Sequence, residues 1–166
     1  MDVSIHKVFL VGLPGCGKST LGKDIAAKLD FVFIDLDDVI EELAGAKIPA
    51  IFTKFGEARF REIERNALED VIARKGKHVV ATGGGAPAFF DNMELMNRKG
   101  LTVYLNVPVD ELVRRIQKDT NIRPLMASNE EEQIREKLQT LNSAREKFYK
   151  MAQKEIGPDD ETIGLL

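Results

Sequence analysis

The chain has 166 residues, 43% hydrophobic and 31% charged, with a formal net charge of −3, the size and balance of one globular domain. That weakly acidic balance gives no support to a general nucleic-acid binder, so an anionic ligand must be held by local groups and not by an overall basic field. One cysteine, Cys16, and two scattered histidines, His6 and His78, exclude an internal disulfide and a zinc cluster.

The first predicted element is the apolar strand VFLVG at 8–12. Glycines follow, then the helical pattern STLGKDIAAKL, with Leu21, Ile25, Ala26 and Leu29 three and four residues apart. FVFIDL (31–36) is a second short strand. DDVIEELAG is a helix stopped by Gly45. GEARFREIERNALEDVIARKG is a longer one that turns Phe60, Ile63, Ala67 and Val71 inward and ends at Gly76. HVVAT (78–82) is the third strand, DNMELMNRKG a helix closing at Gly100, and LTVYLNV (101–107) the fourth strand. DELVRRIQK is a helix with Asp110 as its predicted N-cap, and EEEQIREKLQTLNSAREKFYKMAQK a long last helix. In the tail, EIGPDDETIGLL, only TIGLL reads as a weak strand.

Continuously apolar strands alternating with helices predict an open parallel α/β sheet in one domain spanning 1–166. The longest apolar run near the start, VFLVGL, is too short to cross a bilayer and no leader pattern precedes it, which predicts a cytoplasmic protein with no membrane partner. Two segments interrupt the plain alternation, a helical insert at about 37–61 and a polar loop at about 116–130.

The stretch GLPGCGKS, from Gly12 to Ser19, fits G-x-x-x-x-G-K-[ST] at every fixed position and lies between an apolar strand and an amphipathic helix. In such a loop backbone N–H groups turn inward around phosphate oxygens, backed by the positive end of the helix. Lys18 would reach the β- and γ-phosphates and the Ser19 hydroxyl would ligate Mg²⁺. Cys16 reads as a tolerated small residue of the loop. The phosphate is a nucleoside triphosphate's, and the acceptor is left open.

Asp35 and Asp37 close the second strand. At i and i+2 of a strand both side chains point the same way, toward the sheet edge where ligands bind. Capping of the following helix by Asp37 or Asp38 fits as well. TGGGAP (82–87) follows the third strand with Gly83, Gly84 and Gly85, fitting either backbone contact with a ligand or a flexible turn. Arg145 lies on the apolar face formed by Ile134, Leu138, Leu141, Phe148, Tyr149 and Ala152. A cation there needs an internal carboxylate, a ligand carboxylate, or a path for its head to reach water. Arg61 by itself reads as a surface arginine at the edge of an apolar stripe. Arg123, in NIRPL, reads as a lid arginine closing over the triphosphate.

Taken in order, GLPGCGKST, FIDLDD, FGEARFREIE, ATGGGAP, RPL and LNSAREKFYKMA resemble shikimate kinase over nearly the whole chain. The resemblance implies a fold like that of the nucleoside monophosphate kinases: a five-stranded parallel sheet flanked by helices, with a substrate-binding helical insert and a lid. It implies transfer of the ATP γ-phosphate to the 3-hydroxyl of shikimate, on the route to chorismate and aromatic amino acids, by a monomer with Mg²⁺. Carried over by position, Gly15, Cys16, Gly17, Lys18, Ser19 and Thr20 wrap the phosphates. Ser19 and, through water, Asp35 hold the metal. Asp37 binds the reacting hydroxyl, Arg61 and Arg145 clamp the substrate carboxylate, and Gly83 to Gly85 meet it through backbone. Arg115 flanks the adenine, and Arg123 joins Lys18 and Asp37 in catalysis.

The nearest alternative is another small-metabolite kinase similar to gluconate kinase, which predicts a different acceptor site. A GTP-hydrolysing switch would show an N-K-x-D motif after a strand, and LNVPVDE after the fourth strand has none. An ATP-binding module without catalysis would lack Lys18, Asp37 or Arg123, and all three are present.

Overall fold

The computed structural model describes residues 4–118 and 131–160. Strand β1 (Lys7–Val11) is buried along its whole length. It pairs in parallel with β3 (His78–Ala81) on one side and β4 (Leu101–Leu105) on the other. β2 (Val32–Asp35) and β5 (Lys154–Ile156) form the edges, giving the order β2-β3-β1-β4-β5, all parallel. Helices α1 (Lys18–Leu29), α2 (Leu36–Ala44), α3 (Ile48–Ala73), α4 (Asn92–Lys99), α5 (Val109–Lys118) and α6 (Glu131–Tyr149) flank the sheet. Phe9, Leu10, Met93, Met96, Leu112, Ile116 and Leu138 are among its fully buried side chains.

The chain leaves β1 toward β2 and β3 and later crosses to β4, so neighbouring connections diverge at the carboxyl end of β1. Open α/β sheets bind their ligands at such a divergence. At the opposite end Lys7 donates from Nζ to the Arg74 and Gly76 carbonyls, at 2.8 and 3.0 Å. A cation there satisfies the carbonyls left over where α3 ends.

Four boundaries differ from expectation. α2 starts at Leu36, with Asp35 as its N-cap accepting the Asp37 N–H at 3.0 Å. α3 begins at Ile48, eight residues before Gly56, and breaks there, where Gly56 takes φ 81° and ψ 174°. α5 starts at Val109, which puts Asp110 inside the first turn and not at the cap.

The last difference is the fifth strand, which is Lys154–Ile156. α6 stops at Tyr149 because the Met151 and Ala152 N–H groups turn back on the Phe148 and Tyr149 carbonyls. Gln153 is then captured by the sheet: its N–H donates to Thr102 Oγ1 at 2.9 Å, and its Oε1 accepts the Thr102 N–H at 3.2 Å. TIGLL lies outside the described residues.

Candidate active site

The loop after β1 is shaped by glycines at positive φ, Gly15 at 79° and Gly17 at 97°, conformations open to a residue without Cβ. Gly17 is the N-cap of α1 and supplies no side-chain oxygen to it, so the first N–H groups of the helix are left for an anion. Lys18 is buried, with Nζ donating to the Gly12 and Leu13 carbonyls at 2.8 and 3.0 Å. Cys16 is buried beneath the loop, its thiol against Gly12. Ser19 Oγ donates to Asp35 Oδ2 at 3.0 Å.

Beside the loop opens a cavity of ≈ 640 Å³ lined by Gly15 to Leu21, Asp24, Leu105, Val107, Arg115 and the turn Ile156–Gly157–Pro158 with Asp160. That volume is within the usual range for a small-molecule site. Arg115 reaches across it: Nη1 donates to the Cys16 carbonyl at 3.2 Å and Nε to Glu111 Oε1 at 3.1 Å. The wall from Ile156 to Asp160 was not legible in the sequence, because it depends on a three-residue strand with no periodicity.

On the other side of the loop stands the glycine turn. A Cβ on Gly84 would lie 3.0 Å from Pro14 of the phosphate loop and 3.2 Å from Arg145 Nη1. A Cβ on Gly85 would lie 2.5 Å from Arg61 Nη2. Both guanidinium heads thus converge on adjacent backbone units that only glycine leaves open. Next to them Gly83 has Asp37 Oδ1 and Glu64 Oε2 as neighbours. Asp37, Arg61, Arg145 and the three glycines, scattered over more than a hundred residues, surround one turn.

Two expectations change in detail. Asp35 and Asp37 are not a strand pair, since Asp35 caps α2 and Asp37 sits in its first turn. The turn, and not strand parity, brings them together. Arg61 is not a surface residue but 8% exposed. Its guanidinium lies over the Phe89 ring at 4.0 Å and pairs with Glu64 at 2.8 Å and Glu57 at 3.3 Å. Arg145 is half-buried, and among the described residues no ion pair includes it.

Burial is the largest influence on the Asp37 carboxyl. With the charge of Asp35 it pushes the pKa up to about 6, while Lys18 pulls the other way. Glu64, 1% exposed, is likewise raised by burial, with Arg61 opposing. Sequence reasoning missed Glu64. The available signal was its place three residues after Arg61 on the same helical face.

A model of the shikimate kinase family matches residues 14–163. The chain belongs to the shikimate kinase family. It is 45% identical to the shikimate kinase of Bacteroides thetaiotaomicron over 154 residues, 93% of this chain and 87% of that one. A crystal structure of the shikimate kinase from Bacteroides thetaiotaomicron superposes with a TM-score of 0.88 at 42% identity, covering 95% of this chain and 91% of that one. Shikimate kinase from Acinetobacter baumannii in complex with shikimate gives 0.83 at 37% identity, covering 95% and 86%. The five-stranded parallel sheet is therefore the family's fold, and this family member is an ATP-dependent kinase.

Arg123, and the loop assigned to the lid beyond Lys118, lie outside the described residues. Among the described residues no group of three or more His, Cys, Asp or Glu could hold a metal, and no helix is long and apolar enough to cross a membrane. Mg²⁺ beside a nucleotide needs no such group, because phosphate oxygens and water complete its shell. The Ser19 hydroxyl and Asp35 carboxylate, both hard oxygen donors 3.0 Å apart, fit that ion.

Proposed function

We propose that the chain transfers the γ-phosphoryl group of ATP to the 3-hydroxyl of shikimate, giving shikimate 3-phosphate and ADP on the route to chorismate. The observation that carries this is the convergence of Arg61 and Arg145 on Gly84 and Gly85 with Asp37 beside Gly83. Two guanidinium groups at one end suit a small carboxylate, and a carboxylate at the other suits a hydroxyl. Pro14 of the phosphate loop, against Gly84, supports an acceptor bound beside the triphosphate.

In the reaction the shikimate hydroxyl oxygen forms a bond to the γ-phosphorus as the bond from that phosphorus to the β,γ-bridging oxygen breaks. The hydroxyl proton passes to Asp37, and ADP carries away the bonding pair. Asp37 with a pKa of about 6 is ionised at neutral pH and basic enough to take a proton. Lys18 and the α1 N-terminus neutralise the triphosphate, Arg115 flanks the adenine, and Arg123 stabilises the transferring charge. Ser19 and, through water, Asp35 would hold Mg²⁺, which would supply charge neutralisation to the triphosphate. We place the enzyme in the cytoplasm as a monomer without nucleic-acid or membrane partners.

Gluconate also carries a carboxylate that paired arginines would bind, so it is the family match and the shikimate kinase relatives that favour shikimate over it. ADP release measured with shikimate, gluconate and nucleoside monophosphates tests the assignment. Turnover with shikimate alone is expected, and its absence, or equal turnover with gluconate, overturns it. Arg145→Ala should raise the shikimate KM about tenfold to a hundredfold, the loss of a charged hydrogen bond, while the ATP KM holds. An unchanged shikimate KM makes Arg145 structural only.

A further inference from the structure

We propose that Tyr149 is a positioning residue for carboxylate recognition, its buried phenol holding the Gly84 carbonyl of the glycine turn beside the Arg145 guanidinium on α6. The inference rests on the shikimate assignment above and adds a residue that touches no substrate. Three successive glycines leave a turn with almost no steric preference, so the Gly84–Gly85 peptide can flip unless something holds it. Thr82 Oγ1 anchors one end on the Leu10 carbonyl at 2.9 Å, and Asn92 Nδ2 anchors the other on the Ala86 carbonyl at 2.8 Å. Among the described residues the side-chain bond to the middle is Tyr149 Oη donating to the Gly84 carbonyl at 2.5 Å.

In a trans peptide the C=O and the following N–H point in opposite directions. Holding the Gly84 carbonyl toward α6 therefore turns the Gly85 N–H away from α6. The same bond fixes the peptide beside which the Arg61 guanidinium stands, 2.5 Å from where a Gly85 Cβ would be. The phenol cannot swing away, because its ring is fully buried and stacked on Tyr104 with centroids 5.2 Å apart. Arg145, four residues earlier on the same helix face, brings Nη1 to 3.2 Å from the Gly84 Cβ position, beside the carbonyl that the phenol holds. Burial pushes the Tyr149 pKa well above the ordinary value, which keeps the donor protonated.

Tyr149→Phe removes the oxygen and leaves the ring stack. The expected result is a shikimate KM raised about fivefold to tenfold, as for one lost hydrogen bond, with kcat and the ATP KM within about twofold. On an Arg145→Ala background the same change should add less than about twofold, because the clamp it serves is already gone. Full additivity of the two changes overturns the proposal. So does a Tyr149→Phe protein whose shikimate and ATP affinities fall together, or one that fails to fold, since the phenol would then support the fold and not the clamp. Wild-type enzyme assayed alongside separates the two claims. If it does not phosphorylate shikimate, the functional assignment fails; if it does and Tyr149→Phe matches it, only the role of Tyr149 fails.

Discussion

Lowering the pH should silence this enzyme at a point set by Asp37, far above where an ordinary aspartate titrates. Burial first and the Asp35 charge second raise its pKa to about 6, against the pull of Lys18. With that value about nine-tenths of Asp37 is ionised at pH 7 and about one-tenth at pH 5. If the ionised form accepts the hydroxyl proton, kcat/KM for shikimate at saturating ATP should fall about tenfold between those pH values. An aspartate near its usual pKa would lose almost nothing over the same range. Shikimate 3-phosphate should be quantified chromatographically after quenching, because coupling enzymes have pH profiles of their own. Asp37→Asn should abolish product while ATP still binds. The reasoning is refuted if kcat/KM stays level from pH 8 to 5, or if Asp37→Asn retains the wild-type acid limb.

Other perturbations test the parts that hold this site. Glu64→Ala leaves the buried Arg61 with Glu57, whose side chain is 59% exposed, and should cost about 3 kcal/mol as a broken buried pair; a urea midpoint within error of wild type would show the pair is not needed. His78 is held below its ordinary pKa by burial and by the Lys7 and Arg74 cations, with Lys7 Nζ 2.8 Å from its Nδ1. The unfolded chain then binds the proton more readily, so the stability contributed by neutral His78 is full above about pH 6.5 and is lost as pH falls below it. His78→Asn should narrow the stability difference between pH 7 and pH 5 in paired denaturation curves, and parallel losses in both proteins would exclude His78. Gly100→Ala would drive a Cβ into the Lys7 carbonyl oxygen, on a central strand that cannot step aside. The expected loss is about 1–3 kcal/mol, visible as a lower Tm with both KM values unchanged; an unshifted Tm would mean the backbone there yields.

Much of the fold was legible because its signals are local. The β1–loop–α1 unit combines an apolar strand, glycines and a 3.6-residue period within some twenty residues, and β1, β3 and β4 are largely apolar runs that are covered on both faces. The less legible parts are those in which a distant residue decides. β5 exists because Thr102 captures Gln153, not because Lys154–Ile156 prefers a strand. Likewise α2 begins early because Asp35 turns to accept the Asp37 N–H, which replaces a strand pair by a helix cap.

By itself the sequence determined the chemistry on offer: a phosphate loop, a pair of aspartates, three glycines and two arginines, each of a type and in an order that resembles one kinase family. Their convergence was decided only by tertiary structure, which folds residues 37, 61, 84 and 145 around one turn and buries Arg61 against Glu64 and Phe89. The physical reason is that side-chain type and periodicity are properties of neighbours along the chain. Burial, charge pairing and the raised pKa of Asp37 arise from neighbours in space.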